Sequence, residues 1–207
     1  MSRIFEFNKK NTALVIVDLQ NDFVRQGAPM CVKEALATIP LNKKLIDFAR
    51  ENGMPVIFTK FVAGKKPFLL WNWSPEIEAE HSCVRGFERY YPDIDGKRLC
   101  NDIIDELKPL SVEDYIIEKY HYSSFRNTNL IDILRSEGAG TIIVTGTVTQ
   151  LCVLSTVHDA FHECIKVIVA SDCISTWDKL QEQATLENVA LKFGMVMTSG
   201  ELMQRLK

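Results

Sequence analysis

The sequence predicts a three-layer α/β/α domain, in which helices cover both faces of a parallel sheet of about six strands. Short runs rich in β-branched residues alternate with amphipathic segments along the chain, a pattern typical of β-α-β crossover units. Several runs are apolar at consecutive positions, as expected for strands buried on both faces. With 207 residues the chain is long enough for one well-buried domain, and we expect a single domain over residues 1–207.

Six segments have the composition of strands, and together they make a complete small sheet. In chain order they are "ALVIVD" at 13–18, "PVIFTK" at 55–60, "YIIEK" at 115–119, "TIIVTG" at 141–146, "KVIVAS" at 166–171 and "MVMT" at 195–198. The order of these strands within the sheet does not follow from the sequence.

The segments between the strands have helical spacing. "LNKKLIDFAREN", at 41–52, repeats apolar residues every three or four positions and stops at Gly53, a residue typical of helix C-termini. Segments 129–138 and 180–194 end in the same way, at Gly138 and Gly194. A further helix is predicted over "LCVLSTVHDAF" at 151–161, and a last short helix after Ser199.

Residues 61–98 have no clear period. The segment is rich in aromatic residues, including Trp71 and Trp73, and it contains Pro67, Pro75 and Pro92. Long irregular segments in compact domains are commonly functional loops. We interpret this segment as a loop that covers a pocket, and an oligomer contact is the alternative.

Composition and charge favour a small-molecule ligand. The formal charge is −3, the sequence pI is about 5.8, and no block of like charges suggests nucleic acid or an anionic membrane as partner. The N-terminal apolar run, residues 13–17, is only as long as a strand, so no targeting or membrane segment is predicted. Six scattered cysteines without a Cys-x-x-Cys pair suit a reducing cytoplasm: Cys31, Cys83, Cys100, Cys152, Cys164 and Cys173.

Three chemically distinct side chains follow predicted strands. Asp18 ends the first, Lys119 ends the third, and Cys152 follows the fourth. Because ligands of open α/β sheets bind beyond the carboxyl ends of the strands, all three would share one rim. Taken singly, each residue also has an ordinary interpretation. Asp18 could form a turn or cap a helix, Lys119 could be solvated, and Cys152 could simply pack in the core. Lys119 approaches Asp18 easily only if their strands lie close together.

Together these residues suit thiol chemistry. A thiol attacks as the thiolate, which a helix N-terminus and the Lys119 ammonium would both favour at Cys152. Asp18 would take the thiol proton and later return it to a leaving group. Backbone N–H groups around Val148 to Cys152 would form an oxyanion hole. These parts assemble a cysteine-dependent acyl transfer site.

The segments "ALVIVDLQNDF", "EKYHYSSFRNTNL" and "VTGTVTQLCVLSTVHDAF" together resemble the isochorismatase-like cysteine hydrolases. That group includes nicotinamidases, N-carbamoylsarcosine amidases and ureidoacrylate amidohydrolases. The resemblance implies the isochorismatase-like hydrolase fold and an Asp18–Lys119–Cys152 triad. It also implies a cis peptide between Thr147 and Val148, with the Val148 and Cys152 amides aimed at one oxygen, and assembly into a homo-oligomer.

The resemblance implies hydrolysis of an amide, carbamoyl or ureido C–N bond through a thioester, with release of ammonia or an amine. Members that cleave the vinyl ether of isochorismate typically lack the cysteine, so Cys152 favours amide hydrolysis. Two alternatives remain open at this point. One is a vinyl ether hydrolase of the same fold, and the other is a non-catalytic protein in which Cys152 is merely oxidisable.

One departure from the family concerns metal. Nicotinamidases carry a metal-binding Asp-x-His cluster after the second strand, where this chain has Lys60 and no histidine. We therefore predict no metal and no cofactor, and a substrate other than nicotinamide. His158 and His162 have the i,i+4 spacing of a zinc site, but a solvated or packed helix face is the expected role.

Four residues are predicted to bind substrate. Phe23 and Phe125, with aromatics of the loop around Trp71, would line the pocket. Gln20 would support Asp18 or the substrate amide, or else satisfy local backbone. Arg126 would hold a substrate carboxylate, with a surface arginine as the alternative. Two rival anchors lie in the long loop, Arg85 and Arg89.

Overall fold

A six-stranded parallel sheet forms the centre of the protein, in the order β5-β2-β1-β6-β7-β8, and a separate antiparallel hairpin pairs β3 with β4. The computed structural model describes residues 5–66, 68–110 and 112–207. Its strands are β1 Thr12–Val17, β2 Val56–Phe61, β3 Glu88–Tyr90, β4 Lys97–Leu99, β5 Tyr115–Lys119, β6 Thr141–Thr147, β7 Lys166–Ser175 and β8 Met195–Met197. The predicted fold class is confirmed.

Helices cover both faces of the sheet. The α-helices are α1 Asn21–Val24, α2 Ala35–Glu51, α3 Leu70–Trp73, α4 Glu76–Glu80, α5 Leu130–Ser136, α6 Leu154–His162, α7 Lys179–Asn188 and α8 Ser199–Arg205. Short 3-10 turns occupy Lys9–Asn11 and Asp105–Leu107, and π turns occupy Thr149–Val153 and Val189–Phe193.

Alternate residues of β1 enter two separate cores. Leu14 and Ile16 belong to the core that contains residues of α2 and α8. Ala13, Val15 and Val17 belong to the core that contains residues of α5 and α6. This two-sided burial is the physical reason why the strands are apolar at consecutive positions.

Two elements extend beyond their predicted limits. Helix α2 begins at Ala35, before the segment 41–52 predicted as helical, and it contains Pro40. Ala35 and Ile39 are both buried in the core, and this packing offsets the hydrogen bond that the proline cannot donate. Strand β7 continues to Ser175 through a register shift against β6. The predicted strand stopped at residue 171 because polar residues occur at that point.

Residues 61–98 are more regular than predicted, since α3, α4 and β3 lie within them. The buried Asp22 carboxylate holds this segment. It accepts hydrogen bonds from the Cys83 N–H at 3.0 Å, from Arg89 Nε at 3.1 Å and from the Tyr91 hydroxyl at 2.7 Å. Pro67 lies outside the described residues. Among the described helices, none has the length and apolar character needed to cross a bilayer.

Candidate active site

Three predicted site residues come together at the carboxyl ends of the central strands. Asp18 directly follows β1, Lys119 is the last residue of β5, and Cys152 lies in the π turn after β6. All three are buried, with exposed fractions of 0%, 0% and 4%. The backbone of Asp18 has a φ of 53°, a left-handed conformation that few residues other than glycine adopt and that is often found at functional sites.

Close backbone contact brings the β6 turn to Asp18. Gly146 pairs with Val17 in the parallel ladder and has a φ of 103°. A Cβ atom at this position would lie 2.0 Å from the Val17 carbonyl oxygen. Only glycine allows β6 to pass the end of β1 this closely. The turn that carries Cys152 therefore starts beside the residue that precedes Asp18.

Lys119 forms a buried ion pair with Asp18, with Nζ 2.7 Å from Oδ2. The two strands are not adjacent, because β2 lies between β5 and β1. The lysine side chain reaches past β2 instead, with Nζ 5.7 Å from the centre of the Phe61 ring. Nζ also donates hydrogen bonds to the His121 and Tyr122 carbonyls, at 3.0 and 2.8 Å. These contacts fix the ammonium at the site.

Thr59 holds the other carboxylate oxygen. Its hydroxyl donates to Asp18 Oδ1 at 2.7 Å, while Asp18 Oδ2 contacts the Lys119 ammonium. A carboxylate oxygen has more than one lone pair, so Oδ2 can still accept the proton of a neighbouring group. Sequence reasoning missed Thr59, a mid-strand residue whose contact with Asp18 depends on the pairing of β1 with β2, which the sequence does not give.

Burial and charge set the protonation of the site. Burial raises the pKa of the Cys152 thiol to about 12, and the Lys119 ammonium opposes this only in part. Burial alone would lower the pKa of Lys119, but Asp18 and Cys152 reverse that effect and raise it. The sequence argument for a thiolate at Cys152 considered the Lys119 ammonium but not this burial, which opposes the anion.

The turn that carries Cys152 differs from the predicted helix start. Cys152 lies inside the π turn Thr149–Val153, and α6 begins only at Leu154. The Thr147–Val148 peptide is cis, as the family resemblance implied. In the described part of the chain, the Val148 N–H donates to no protein acceptor, so it is available to a ligand oxygen.

A pocket of about 440 Å³ opens over Cys152 and Val148. The long loop supplies part of its wall, in agreement with the predicted cover. The lining residues are Phe23, Pro29, Met30, Cys31, Phe61, Leu70, Trp73, Ser74, Glu76, Tyr122, Val148, Leu151, Cys152 and Trp177. This mixture of apolar walls and few polar groups is typical of small-ligand sites.

Of the four predicted substrate-binding residues, Phe23 lines the pocket and the other three do not. The Gln20 side-chain amide forms hydrogen bonds with backbone groups. It donates to the Phe61 and Asn101 carbonyls and accepts from the Phe61 N–H. Phe125 packs against the core, and Arg126 is exposed.

The rival arginines are engaged elsewhere. Arg89 pairs with buried Asp22, and Arg85 pairs with Glu118. Neither residue lines the pocket. The predicted arginine anchor for a substrate carboxylate therefore has no counterpart in the pocket wall of the described structure.

Lys60, which lies in β2, forms an ion pair. Its Nζ is 2.5 Å from Asp102 Oδ1. Over the described ranges, no three histidine, cysteine, aspartate or glutamate side chains converge as a metal site. The His158 ring packs on Phe193, with their centres 4.4 Å apart, as a packed helix face requires.

Comparison with known proteins shows similarity over nearly the whole chain. A family model described as the Isochorismatase domain matches residues 12–201. Ureidoacrylate amidohydrolase RutB from Serratia proteamaculans is 32% identical in an alignment 208 positions long, which covers 92% of this chain and 80% of that protein.

Two solved structures show the same likeness in three dimensions. A cysteine hydrolase from Pseudomonas syringae pv. phaseolicola 1448A has a TM-score of 0.87 at 27% identity, covering 100% of this chain and 98% of the other. N-carbamoylsarcosine amidase from Thermoplasma acidophilum has a TM-score of 0.75 at 26% identity, covering 91% and 96%.

Proposed function

The chain belongs to the isochorismatase family of hydrolases, and on that premise we propose that it hydrolyses the C–N bond of a small amide, carbamoyl or ureido compound with Cys152 as nucleophile. The observation that carries the proposal is the convergence of Asp18, Lys119 and Cys152 beneath one pocket. The names of the relatives support the bond type, since they include a ureidoacrylate amidohydrolase and an N-carbamoylsarcosine amidase.

Acylation begins from the neutral thiol. Asp18 Oδ2, which has a free lone pair, takes the Cys152 proton as the sulfur attacks the carbonyl carbon. The carbonyl π electrons move to oxygen, and the Val148 N–H stabilises the negative charge that forms there. When the C–N bond breaks, its electron pair stays on nitrogen, which takes the proton from Asp18. The products of this half are a thioester and ammonia or an amine.

Deacylation uses the same groups in the same order. Asp18 accepts a proton from water as the water oxygen attacks the thioester carbonyl. The tetrahedral intermediate collapses with loss of the Cys152 sulfur, which takes back a proton from Asp18. An acid is released and the resting enzyme is restored.

Lys119 stabilises the Asp18 carboxylate in both halves of the reaction. The two buried groups have opposite charge, so each offsets the desolvation cost of the other. Hydrogen bonds from Lys119 to the His121 and Tyr122 carbonyls hold the ammonium in place when the carboxylate is transiently protonated. In this proposal Lys119 acts on the electrostatics of the site and transfers no proton.

The test is ammonia or amine release from a panel of simple amides, carbamoyl amino acids, ureido acids and nicotinamide. Wild type is compared with Cys152→Ala, and Cys31→Ala serves as matched control because Cys31 lines the same pocket away from the triad. We expect turnover that is lost only in Cys152→Ala. Turnover that survives in Cys152→Ala would refute the nucleophile.

Two rival functions give different results in the same assay. A vinyl ether hydrolase would release no nitrogen from any compound yet would cleave isochorismate. A non-catalytic redox-responsive protein would release no ammonia or amine from any compound of the panel, and its Cys152 would be oxidised at low peroxide concentration. The 4% exposure of Cys152 and its raised pKa favour the hydrolase over that sensor.

A further inference from the structure

The charge of the pocket wall comes from one side chain. Among the described lining residues, Glu76 is the only one that carries a charge. The Asp18–Lys119 pair beneath the pocket is neutral as a unit, so it does not offset Glu76. A charged ligand therefore meets a wall whose net charge is negative.

Glu76 is not neutralised by a neighbour. It is the first residue of α4 and is partly buried, and the described residues place no lysine or arginine in an ion pair with it. Glu78, two residues further along, is different: Lys66 Nζ lies 2.7 Å from its carboxylate. A partly buried carboxylate without a cation attracts one from a ligand more strongly than an exposed, paired carboxylate does.

The rest of the wall also suits a cation. Trp73, Tyr122 and Trp177 line the pocket, and aromatic faces attract ammonium groups through their quadrupoles. Trp73 and Trp177 are 79% and 56% exposed, so a ligand in the pocket can reach both rings. A carboxylate would meet these aromatic faces and Glu76 with no opposite charge in the described wall.

We propose that Glu76 makes this pocket selective for small amides that carry an ammonium or similar cationic group, and that carboxylate-bearing amides are disfavoured. The inference rests on the proposed function, and it separates this chain from relatives named for ureidoacrylate, which is a carboxylate. The expected order of preference is cationic, then neutral, then anionic.

Charge selection can be measured without any substrate. In a Cys31→Ser/Cys164→Ser background, Cys152 is the remaining thiol that lines the pocket, since Cys83, Cys100 and Cys173 are 0% exposed. The probes are two methanethiosulfonates of similar size, one with an ethylammonium and one with an ethylsulfonate arm. Each forms a mixed disulfide with Cys152 and releases methanesulfinate, which whole-protein mass spectrometry follows. Rates are divided by those of 2-mercaptoethanol.

We expect the ammonium reagent to react at least tenfold faster than the sulfonate reagent, relative to the free thiol. Glu76→Gln should reduce this preference by about tenfold, the size expected for removal of one nearby charge at intermediate dielectric. Glu78→Gln is the matched control, because it removes the same charge from the same helix outside the pocket wall. Equal rates for both reagents, or equal effects of the two variants, would overturn the proposal.

Substrate turnover provides a second test of the charge selectivity. β-Alaninamide, butyramide and succinamic acid differ mainly in the charge of one end, and ammonia release from each is compared as kcat/KM. The expected order in wild type is the ammonium compound first and the acid last, with the difference reduced in Glu76→Gln. Turnover that prefers succinamic acid would refute the selectivity and keep the hydrolase. Charge-selective labelling without any turnover would refute the hydrolase and keep the selectivity.

Discussion

Thr59 and Asp18 hold each other through two hydrogen bonds that run in opposite directions. The Asp18 N–H donates to Thr59 Oγ1 at 3.3 Å, and the Thr59 hydroxyl donates to Asp18 Oδ1 at 2.7 Å. The threonine therefore fixes both the backbone and the carboxylate of a residue whose φ is 53°. This arrangement leaves Oδ2 free of Thr59 and in contact with the Lys119 ammonium, 2.7 Å from its Nζ.

Thr59→Val should lower kcat roughly 10- to 100-fold, because a hydrogen bond to a charged acceptor contributes about 1.5–3 kcal/mol and its loss lets the carboxylate rotate. The measurement is kcat on whichever amide the panel identifies, with circular dichroism to verify the fold. Thr59→Ser keeps the hydroxyl and should retain most of the activity. Full activity in the valine variant would show that Thr59 does not position Asp18.

Lys119→Met should cost about 3–5 kcal/mol of unfolding free energy, because it leaves the Asp18 carboxylate buried without its partner. Urea denaturation measures the loss. Lys60→Met is the matched control on the neighbouring strand. Its partner Asp102 is 46% exposed, so that change should cost no more than about 1 kcal/mol. Asp18→Asn added to Lys119→Met should recover part of the stability, and equal losses in the two single variants would contradict the buried-pair interpretation.

The raised pKa of Cys152, about 12, predicts an unusual pH profile for its alkylation by neutral iodoacetamide. The thiolate is the reactive form, so the Cys152 rate should keep rising about tenfold per pH unit through pH 9 and 10. A free thiol such as glutathione, with a pKa of about 8.5, levels off over that range. Mass spectrometry in the Cys31→Ser/Cys164→Ser background gives the rate, and a plateau below pH 9 would mean that the thiol is acidic after all.

Gly146→Ala should destabilise the fold by more than about 3 kcal/mol and abolish activity, because its Cβ would lie 2.0 Å from the Val17 carbonyl oxygen. Gly138→Ala is the control: its φ is 65°, but a Cβ there meets nothing within 4 Å. That change should cost only the left-handed backbone penalty, about 1–2 kcal/mol. Chemical denaturation of both proteins measures the difference, and similar losses would show that the contact with β1 relaxes easily.

The sheet and the strand-end positions of Asp18, Lys119 and Cys152 could be predicted because each depends on local pattern. Continuous apolar runs mark strands buried on both faces, and an Asp, a Lys or a Cys after such a run lies at the functional edge. The placement of Lys119 was harder to foresee, since strand order depends on how crossovers pack. The lysine side chain is long enough to reach Asp18 although β2 lies between their strands.

The pocket wall could not be predicted, for a different reason. Gln20, Phe125 and Arg126 adjoin site motifs in the sequence, yet packing turns them to backbone, core and solvent. Glu76 and Trp177 belong to segments without a recognisable pattern, and only tertiary packing brings them to Cys152. The predicted homo-oligomer and cytoplasmic location stay predictions.

The position of β1 has a consequence for synthesis on the ribosome. This strand lies in the middle of the sheet, yet of its two neighbours β2 follows it early in the chain and β6 much later. A nascent chain that ends before Thr141 therefore presents one unpaired edge of an apolar strand. Such an edge can pair with another polypeptide. We expect this edge to stay open until β6 emerges from the ribosome and pairs with β1.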